Sequence, residues 1–182
     1  MNARDLGYVS LSVALISVSA WLGLPVGEIP VTLQTAMIFV TAGLLGWKRA
    51  TLSVTAYLLL GFVGVPVFAG FAGGAGKILS PTGGYLVGFL PLAFSVGMAS
   101  DCLKKKESKG SAWRLSVSMA VGLLACYVLG TAWFTFLSSQ NDIGVGFWSA
   151  LGLCVLPYLP FDLLKIPLAV YVIKKISKFI NL

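Results

Sequence analysis

The chain has 182 residues, of which 58% are hydrophobic and only 10% are charged. An average soluble domain carries about 25% charged residues, so this composition excludes an ordinary soluble protein. The formal net charge of +7 does not indicate a nucleic-acid partner, because the basic residues fall where apolar runs end and not over one surface.

The charged residues divide the sequence into six uncharged runs, and each run is long enough to cross a bilayer, which takes about 20 apolar residues as a helix. The runs cover residues 6–27, 29–47, 50–76, 78–100, 115–141 and 143–161. A β-barrel would instead need shorter segments of strict alternation. We therefore predict an all-α integral membrane protein, a compact bundle of six transmembrane helices that forms a single domain over residues 1–182.

The positions of the basic residues predict how this bundle lies in the membrane. Arg4, the pair Lys48 and Arg49, the basic residues between the fourth and fifth runs, and the lysines after the sixth run all fall on one side by parity. Lys77 falls on the other side. The positive-inside rule therefore predicts a multi-pass protein with both termini in the cytoplasm. We expect the membrane to be a bacterial inner or plasma membrane.

The start of the first run resembles a secretory signal, because Arg4 precedes an apolar stretch that ends in small residues. The apolar run continues to residue 27, which is longer than the signal core of about 7 to 15 residues. We therefore expect the first span to be retained.

Small and polar residues in the first two runs are predicted to face other protein groups and not lipid. Ser10, Ala14 and Ser17 form a stripe of small residues at helical spacing, which allows close approach of another helix. That helix belongs either to this bundle or to a second membrane subunit. Gln34 would lose its hydrogen bonds if it faced lipid, so we expect it to point into the bundle, where it packs against a helix or contacts a ligand.

Glycine is concentrated between the third and fourth runs, where nine of the 21 glycines fall within residues 61–88. With Pro66 and Pro81 they predict a long outer loop over residues 65–82, and its apolar side chains favour a packed lid. Part of this loop looks like a phosphate-binding motif, but Phe71 and Ile78 stand where the motif needs glycine and serine or threonine. The energy for the protein's activity is therefore expected to come either from an ion gradient or from a partner subunit that hydrolyses ATP.

The absence of histidine and the spacing of the cysteines exclude several kinds of catalytic and metal site. Histidine is absent, which excludes Ser-His-Asp and Cys-His arrangements and metal sites that rely on imidazole. Cys102, Cys126 and Cys154 form no CxxC pair, and those within spans are expected to be packing residues. We predict no catalytic residue, no metal and no cofactor.

Asp162 and Lys165 are the strongest local signal. They lie three residues apart in the last span and so share one face of a helix. A charge at the bilayer centre costs about 2.5 to 3.5 kcal/mol on insertion scales, and such residues normally face the bundle interior and mark a pathway or a ligand. The pair is either an ion pair that locks the bundle or part of a ligand site. Pro157, Pro160 and Pro167 favour a ligand, because they loosen the helix where it would line a cavity.

Four motifs, taken together and in order, resemble the BioY family, the biotin-binding S-components of energy-coupling-factor (ECF) vitamin transporters. They are PVTLQT at residues 30–35, GFVGVPVF at 61–68, PTGGY at 81–85 and FDLLK at 161–165. The resemblance implies a six-helix membrane protein that captures biotin from outside. It also implies delivery inward with a transmembrane coupling subunit and two cytoplasmic ATPase subunits.

The resemblance also implies which residues of this chain bind the ligand. Asp162 and Lys165 match the family's acidic and basic pair, with the carboxylate accepting a ureido N–H of biotin and the ammonium donating to the ureido oxygen or the carboxylate. Gln34 and Tyr85 match polar positions at the mouth of the site, and residues 64–81 match the outer lid. The predicted ligand-binding residues are Asp162, Lys165, Gln34, Tyr85, Phe68, Gly73, Gly74, Lys77 and Trp133, and the predicted partner-docking residues are Ser10, Ala14 and Ser17.

Two other classes compete with this interpretation. A membrane enzyme acting on lipid would need an acid/base pair or a metal site, and a single buried carboxylate without histidine does not supply one. A proton-coupled small-molecule carrier could use Asp162 and Lys165 as a relay. Secondary carriers often show internal repeats, and residues 1–91 and 92–182 show no convincing repeat.

Overall fold

In a computed structural model, which describes residues 2–24, 30–106, 111–140 and 146–178, the chain is a bundle of helices. The helices are α1 (Ala3–Trp21), α2 (Gln34–Val63), α3 (Ala75–Ile78), α4 (Gly83–Lys106), α5 (Ser111–Gln140), α6 (Phe147–Cys154) and α7 (Leu159–Ser177). Two short strands, β1 (Gly23–Leu24) and β2 (Val31–Thr32), pair antiparallel just before α2. Part of the predicted basic connection between the fourth and fifth runs, including Lys109, lies outside the described residues.

The helices α4 and α5 are long and apolar enough to cross a membrane, and α6 with α7 forms a third candidate span that is bent by 57°. The predicted all-α membrane class is therefore confirmed. The number of six crossings stays a prediction, and α1 and α2 would supply the first three.

The centre of the bundle is α2, which packs against α1, α4 and α7, while α4 also packs against α5. Its buried side chains include Ile38, Phe39, Val54 and Tyr57, each with no exposed surface. The core therefore forms around α2. Because Gln34 lies in the first turn of α2, the packed core holds that turn in place.

The helical parts of the second and third predicted runs are two arms of α2 that meet at Gly46, which adopts φ 77°, ψ 175°. The arms fold back on each other, because Gln34 Nε2 and the Tyr57 hydroxyl, 23 residues apart in sequence, lie 2.7 Å apart. The kink releases backbone groups that α4 satisfies. Ser100 Oγ donates to the Gly43 carbonyl and Lys104 Nζ donates to the Leu44 carbonyl, both at 2.6 Å, and the Trp47 N–H donates to Asp101 at 3.2 Å.

The last predicted span is broken at the place where its prolines stand. The helix α6 ends at Cys154, residues 155–158 form a turn that contains Pro157, and Pro160 lies in the first turn of α7. Proline fits a first helical turn because it lacks the N–H that would have no partner there. The break places Asp162 in the first turn of α7, within the protein interior.

The outer loop (residues 65–82) starts and ends as predicted, since α2 ends at Val63 and α4 begins at Gly83. It contains a 3-10 turn (Ala69–Phe71) and the single turn α3. Trp21 of α1 donates from Nε1 to the Pro66 carbonyl at 3.0 Å and stacks on Phe71 with ring centroids 4.9 Å apart. Phe68 is fully buried. The loop is therefore packed onto the bundle.

Candidate ligand-binding site

A cavity lies under the outer loop, where the first turns of α2 and α7 meet α4 and α5. The cavity has a volume of about 100 Å³. One buried water needs only about 10–15 Å³, so the cavity has room for a larger molecule. The lining residues are Pro30, Val31, Thr32, Gln34, Thr35, Phe68, Ala69, Lys77, Thr82, Tyr85, Leu86, Phe89, Leu123, Cys126, Tyr127, Cys154, Tyr158, Asp162 and Lys165. Such a mostly apolar wall with a few convergent polar groups is typical of a small-molecule site.

The charged pair predicted from the sequence lies in this cavity and is almost completely buried. Asp162 is 6% exposed and Lys165 is 8% exposed. Lys165 Nζ lies 2.6 Å from Asp162 Oδ1, which makes an ion pair within α7. Taking two charges out of water costs several kcal/mol per ion, and good geometry with further hydrogen bonds is needed to offset that cost.

Two hydroxyl groups from other helices supply those further hydrogen bonds. Thr35 Oγ1 donates to Asp162 Oδ1 at 2.9 Å and accepts from Lys165 Nζ at 2.9 Å. Tyr127 of α5 donates to Asp162 Oδ2 at 2.6 Å. The position of Asp162 in the first turn of α7 also favours its negative charge, because the N-terminal end of a helix dipole is positive.

Thr35 and Tyr127 were not predicted as site residues. Thr35 follows Gln34 in the PVTLQT motif, and this position was the only feature of the sequence that could have indicated its role in the site. Tyr127 is a single tyrosine in an apolar run, and no spacing relates it to Asp162. Cys126 and Cys154, predicted to be packing residues, are buried in the core and also line the cavity, whereas Cys102 is exposed.

Gln34 points into the bundle as expected and connects the cavity to the outer loop. Its Nε2 donates to the Tyr57 hydroxyl at 2.7 Å, and that hydroxyl donates to the Val67 carbonyl in the outer loop at 3.1 Å. The Tyr57 ring also meets the Phe68 ring edge to face at 5.4 Å. The first turn of α2 is therefore joined to the loop that covers the cavity.

Aromatic side chains form two walls of the cavity. Phe68 enters from the outer loop, and a Cβ at position 61 would overlap its ring, which explains why glycine stands there. Tyr85 of α4 forms a hydrogen bond with the Thr131 hydroxyl at 3.1 Å. Lys77 of α3 also lines the cavity.

Three predicted ligand contacts are described by the structure but are not among the residues that line the cavity. Trp133 packs over Gly84 and donates from Nε1 to the Ser80 carbonyl at 3.0 Å, so it holds the end of the outer loop. Gly74 donates its N–H to the Gly61 carbonyl at 2.6 Å. A Cβ on Gly73 would stand 2.5 Å from the Val65 carbonyl oxygen. These residues shape the loop.

The predicted docking stripe on α1 divides between two environments. Ser10 and Ala14 are exposed on the outside of the bundle. Ser17 is buried and its hydroxyl donates to the Val13 carbonyl of the same helix at 2.8 Å.

The fold and the site define an all-α membrane protein with a cavity that lies under a packed loop and is lined by a buried ion pair. The sequence matches the model of the BioY family over residues 1–181. The chain therefore belongs to the BioY family, as the four motifs predicted.

Individual relatives of known name align with this chain over nearly its full length. A biotin transporter BioY of Thermotoga maritima is 40% identical over 96% of this chain and 96% of its own. A probable biotin transporter BioY of Pyrococcus horikoshii is 36% identical over 97% of this chain and 98% of its own. A crystal structure of the S-component for biotin from an ECF-type ABC transporter superposes with a TM-score of 0.84 at 30% identity, covering 98% of this chain and 95% of that one.

Proposed function

We propose that this chain binds biotin in the cavity and acts as the S-component of an ECF-type vitamin importer. The relatives named above support the substrate class. The observation that carries the proposal is the cluster of Asp162, Lys165, Thr35 and Tyr127 inside a mostly apolar cavity. Biotin combines fused rings, which need an apolar wall, with a polar ureido edge and a terminal carboxylate.

The hydrogen bonds of the cluster leave positions that a ureido group can use. An ionised carboxylate accepts about four hydrogen bonds, and within the described residues Asp162 accepts three, of which one is to Oδ2. A ureido N–H of biotin fits the remaining position on Oδ2. Lys165 uses two of its three N–H groups on Asp162 and Thr35 and offers another to the ureido oxygen or to the biotin carboxylate.

The walls suit the remainder of biotin. Phe68 and Tyr85 flank the fused rings from the outer loop and from α4. Lys77 lines the cavity from the outer loop, and in this proposal its ammonium meets the terminal carboxylate. We keep Trp133, Gly73 and Gly74 in the proposal as residues that act through the shape of the outer loop.

The chain is proposed to capture biotin with its outer loop facing outside and both termini in the cytoplasm. Delivery inward then depends on a transmembrane coupling subunit and two ATPase subunits, since the sequence lacks a phosphate-binding loop. The exposed face of α1 with Ser10 and Ala14 is our candidate surface for the coupling subunit. In this role the chain is not an enzyme and needs no cofactor.

Calorimetric titration of biotin into the detergent-purified chain tests the proposal, with thiamine and riboflavin as controls and a prior assay for copurified biotin. We expect one-to-one binding of biotin alone. A folded, biotin-free chain that does not bind biotin would remove the assignment.

A transport assay separates the S-component from the proton-coupled carrier. The chain reconstituted alone in proteoliposomes with an imposed pH gradient is expected to bind labelled biotin without accumulating it. Sustained uptake is expected only with the coupling and ATPase subunits and ATP. Accumulation by the chain alone in response to the gradient would establish the carrier.

A further inference from the structure

The hydrogen bonds of Tyr57 determine which way the Gln34 amide points. A tyrosine hydroxyl has one hydrogen, and Tyr57 donates it to the Val67 carbonyl, which can only accept. The hydroxyl oxygen must therefore accept from Gln34, so the amino group Nε2 is the atom that faces Tyr57 at 2.7 Å. The carbonyl oxygen Oε1 of Gln34 therefore lies on the side of the amide that does not face Tyr57.

We infer that Gln34 presents Oε1 to the ligand as an acceptor for an N–H group, and that Tyr57 is the positioning residue that sets this polarity through the Val67 carbonyl. Gln34 lines the cavity and is 3% exposed, so its amide has little freedom to turn toward water. The inference rests on the proposed function, because the N–H in question belongs to the ureido group of biotin.

The same turn of α2 then contributes to both ends of the ureido edge. Thr35 holds the Asp162 carboxylate, and its neighbour Gln34 supplies a second acceptor. A ureido group has two N–H donors, so Asp162 accepts one and Gln34 accepts the other. A ligand that lacks one of these donors leaves a buried acceptor without a partner, which is how such sites reject close analogues.

The polarity of Gln34 depends on the outer loop being in place. When the loop moves away, the Val67 carbonyl leaves Tyr57, and the free hydroxyl can donate to the amide oxygen instead. The amide can then turn its amino group toward the cavity, where it meets a ureido N–H donor against donor. With the loop packed as it is, the Val67 carbonyl therefore keeps the Gln34 oxygen available as the second acceptor.

The variant Tyr57→Phe tests this role, because it removes the hydroxyl and keeps the ring that packs on Phe68. We expect the Kd for biotin to rise by about tenfold, the size of one to two lost hydrogen bonds. Tyr171→Phe is the matched control, since Tyr171 is 62% exposed on α7. An unchanged biotin Kd in folded Tyr57→Phe would overturn the inference.

A double-mutant cycle distinguishes positioning from a merely structural role. In a Gln34→Met background, Tyr57→Phe is expected to cause no further loss of biotin affinity, because Tyr57 acts through the Gln34 amide. An equal loss in both backgrounds would show that Tyr57 only stabilises the fold.

Two analogues, each methylated on one of the two ureido nitrogens of biotin, provide a second test. This test compares ligand affinities of the wild type and Gln34→Met, so it does not depend on the folding of the Tyr57 variant. Gln34→Met is expected to weaken biotin but to leave the affinity for one of the two methylated isomers unchanged. Equal losses for biotin and both isomers would overturn this inference alone. A wild-type chain that does not bind biotin would overturn the proposed function as well.

Discussion

At the scale of single residues, the stability of the site depends on partners that compensate the negative charge of Asp162. The carboxylate lies beside one ammonium and two hydroxyl donors, all buried. Each of these groups would be costly to bury alone, and together they compensate one another. The cluster therefore stabilises the interior as well as presenting polar atoms to a ligand, so single substitutions alter both properties.

Asp162→Asn should lower biotin affinity by about tenfold to a hundredfold, because a hydrogen bond to a charged group contributes about 1.5–3 kcal/mol. The amide replaces the acceptor for the ureido N–H and leaves Lys165 without its counter-ion. Titration calorimetry measures the affinity, and Lys174→Gln, a charge loss at an exposed position of α7, is the control. Full biotin affinity in Asp162→Asn would contradict the assignment.

The double variant Asp162→Asn with Lys165→Gln separates the two roles of the pair. Removing both charges should restore much of the thermal stability lost in Asp162→Asn, since no unpaired charge stays buried. Biotin binding should stay lost. Recovery of binding along with stability would mean that the pair only locks the bundle.

At the scale of elements, contacts from α4 hold the kink in α2 in addition to its own glycine. Gly46 lies at positive φ, which L side chains rarely adopt, and an added Cβ would overlap the Asp101 carboxylate. Ser100 and Lys104 occupy the carbonyls that the kink exposes. The kink and the C-terminal end of α4 therefore form one structural unit.

Gly46→Ala should lower the thermal unfolding temperature in detergent, because the variant combines backbone strain of about 1–3 kcal/mol with a steric overlap. Gly7→Ala is the matched control. Gly7 lies inside α1 with nothing within 4 Å of an added Cβ, and alanine there should be neutral or slightly stabilising. Equal effects of the two substitutions would contradict the role given to the kink.

Trp133 anchors the outer loop from α5, and this role differs from the ligand contact predicted by the sequence. Trp133→Phe removes the N–H that donates to the Ser80 carbonyl and keeps an aromatic ring over Gly84. We expect biotin to dissociate about fivefold faster, the size of one hydrogen bond, with an unchanged association rate. Trp148→Phe, at a side chain that is 82% exposed, is the control for stopped-flow measurements. A slower association with unchanged dissociation would argue against an anchor.

At the scale of the whole molecule, the sequence could predict the features that leave a local composition signal. The outer loop follows from clustered glycine and proline, and the break before α7 follows from Pro157 and Pro160. Lys48 and Arg49, which separate the second and third runs, predicted a break beside Gly46, but the partners that α4 supplies there, Ser100, Asp101 and Lys104, could not be predicted. The hydroxyls of Tyr57 and Tyr127 were missed for the same reason, because their partners are distant in sequence.

The orientation of the molecule in the membrane is a prediction that follows from charge alone, and cysteine labelling tests it. In a Cys102→Ser background the buried Cys126 and Cys154 should stay unlabelled by a membrane-impermeant maleimide. Leu79→Cys, at a position in the outer loop that is 61% exposed, should be labelled in intact cells. Ser177→Cys, at the exposed end of α7, should be labelled only after permeabilisation.

The two labels together decide which face of the bundle receives the ligand. The basic residues beside the kink of α2 and at the ends of α4 and α7 favour the cytoplasm, so the end of the bundle that carries the outer loop and the cavity should face outside. Labelling of Ser177→Cys in intact cells, with protection of Leu79→Cys, would reverse the orientation. A cavity that opened toward the cytoplasm could not capture biotin from outside, so the proposed direction of transport depends on this result.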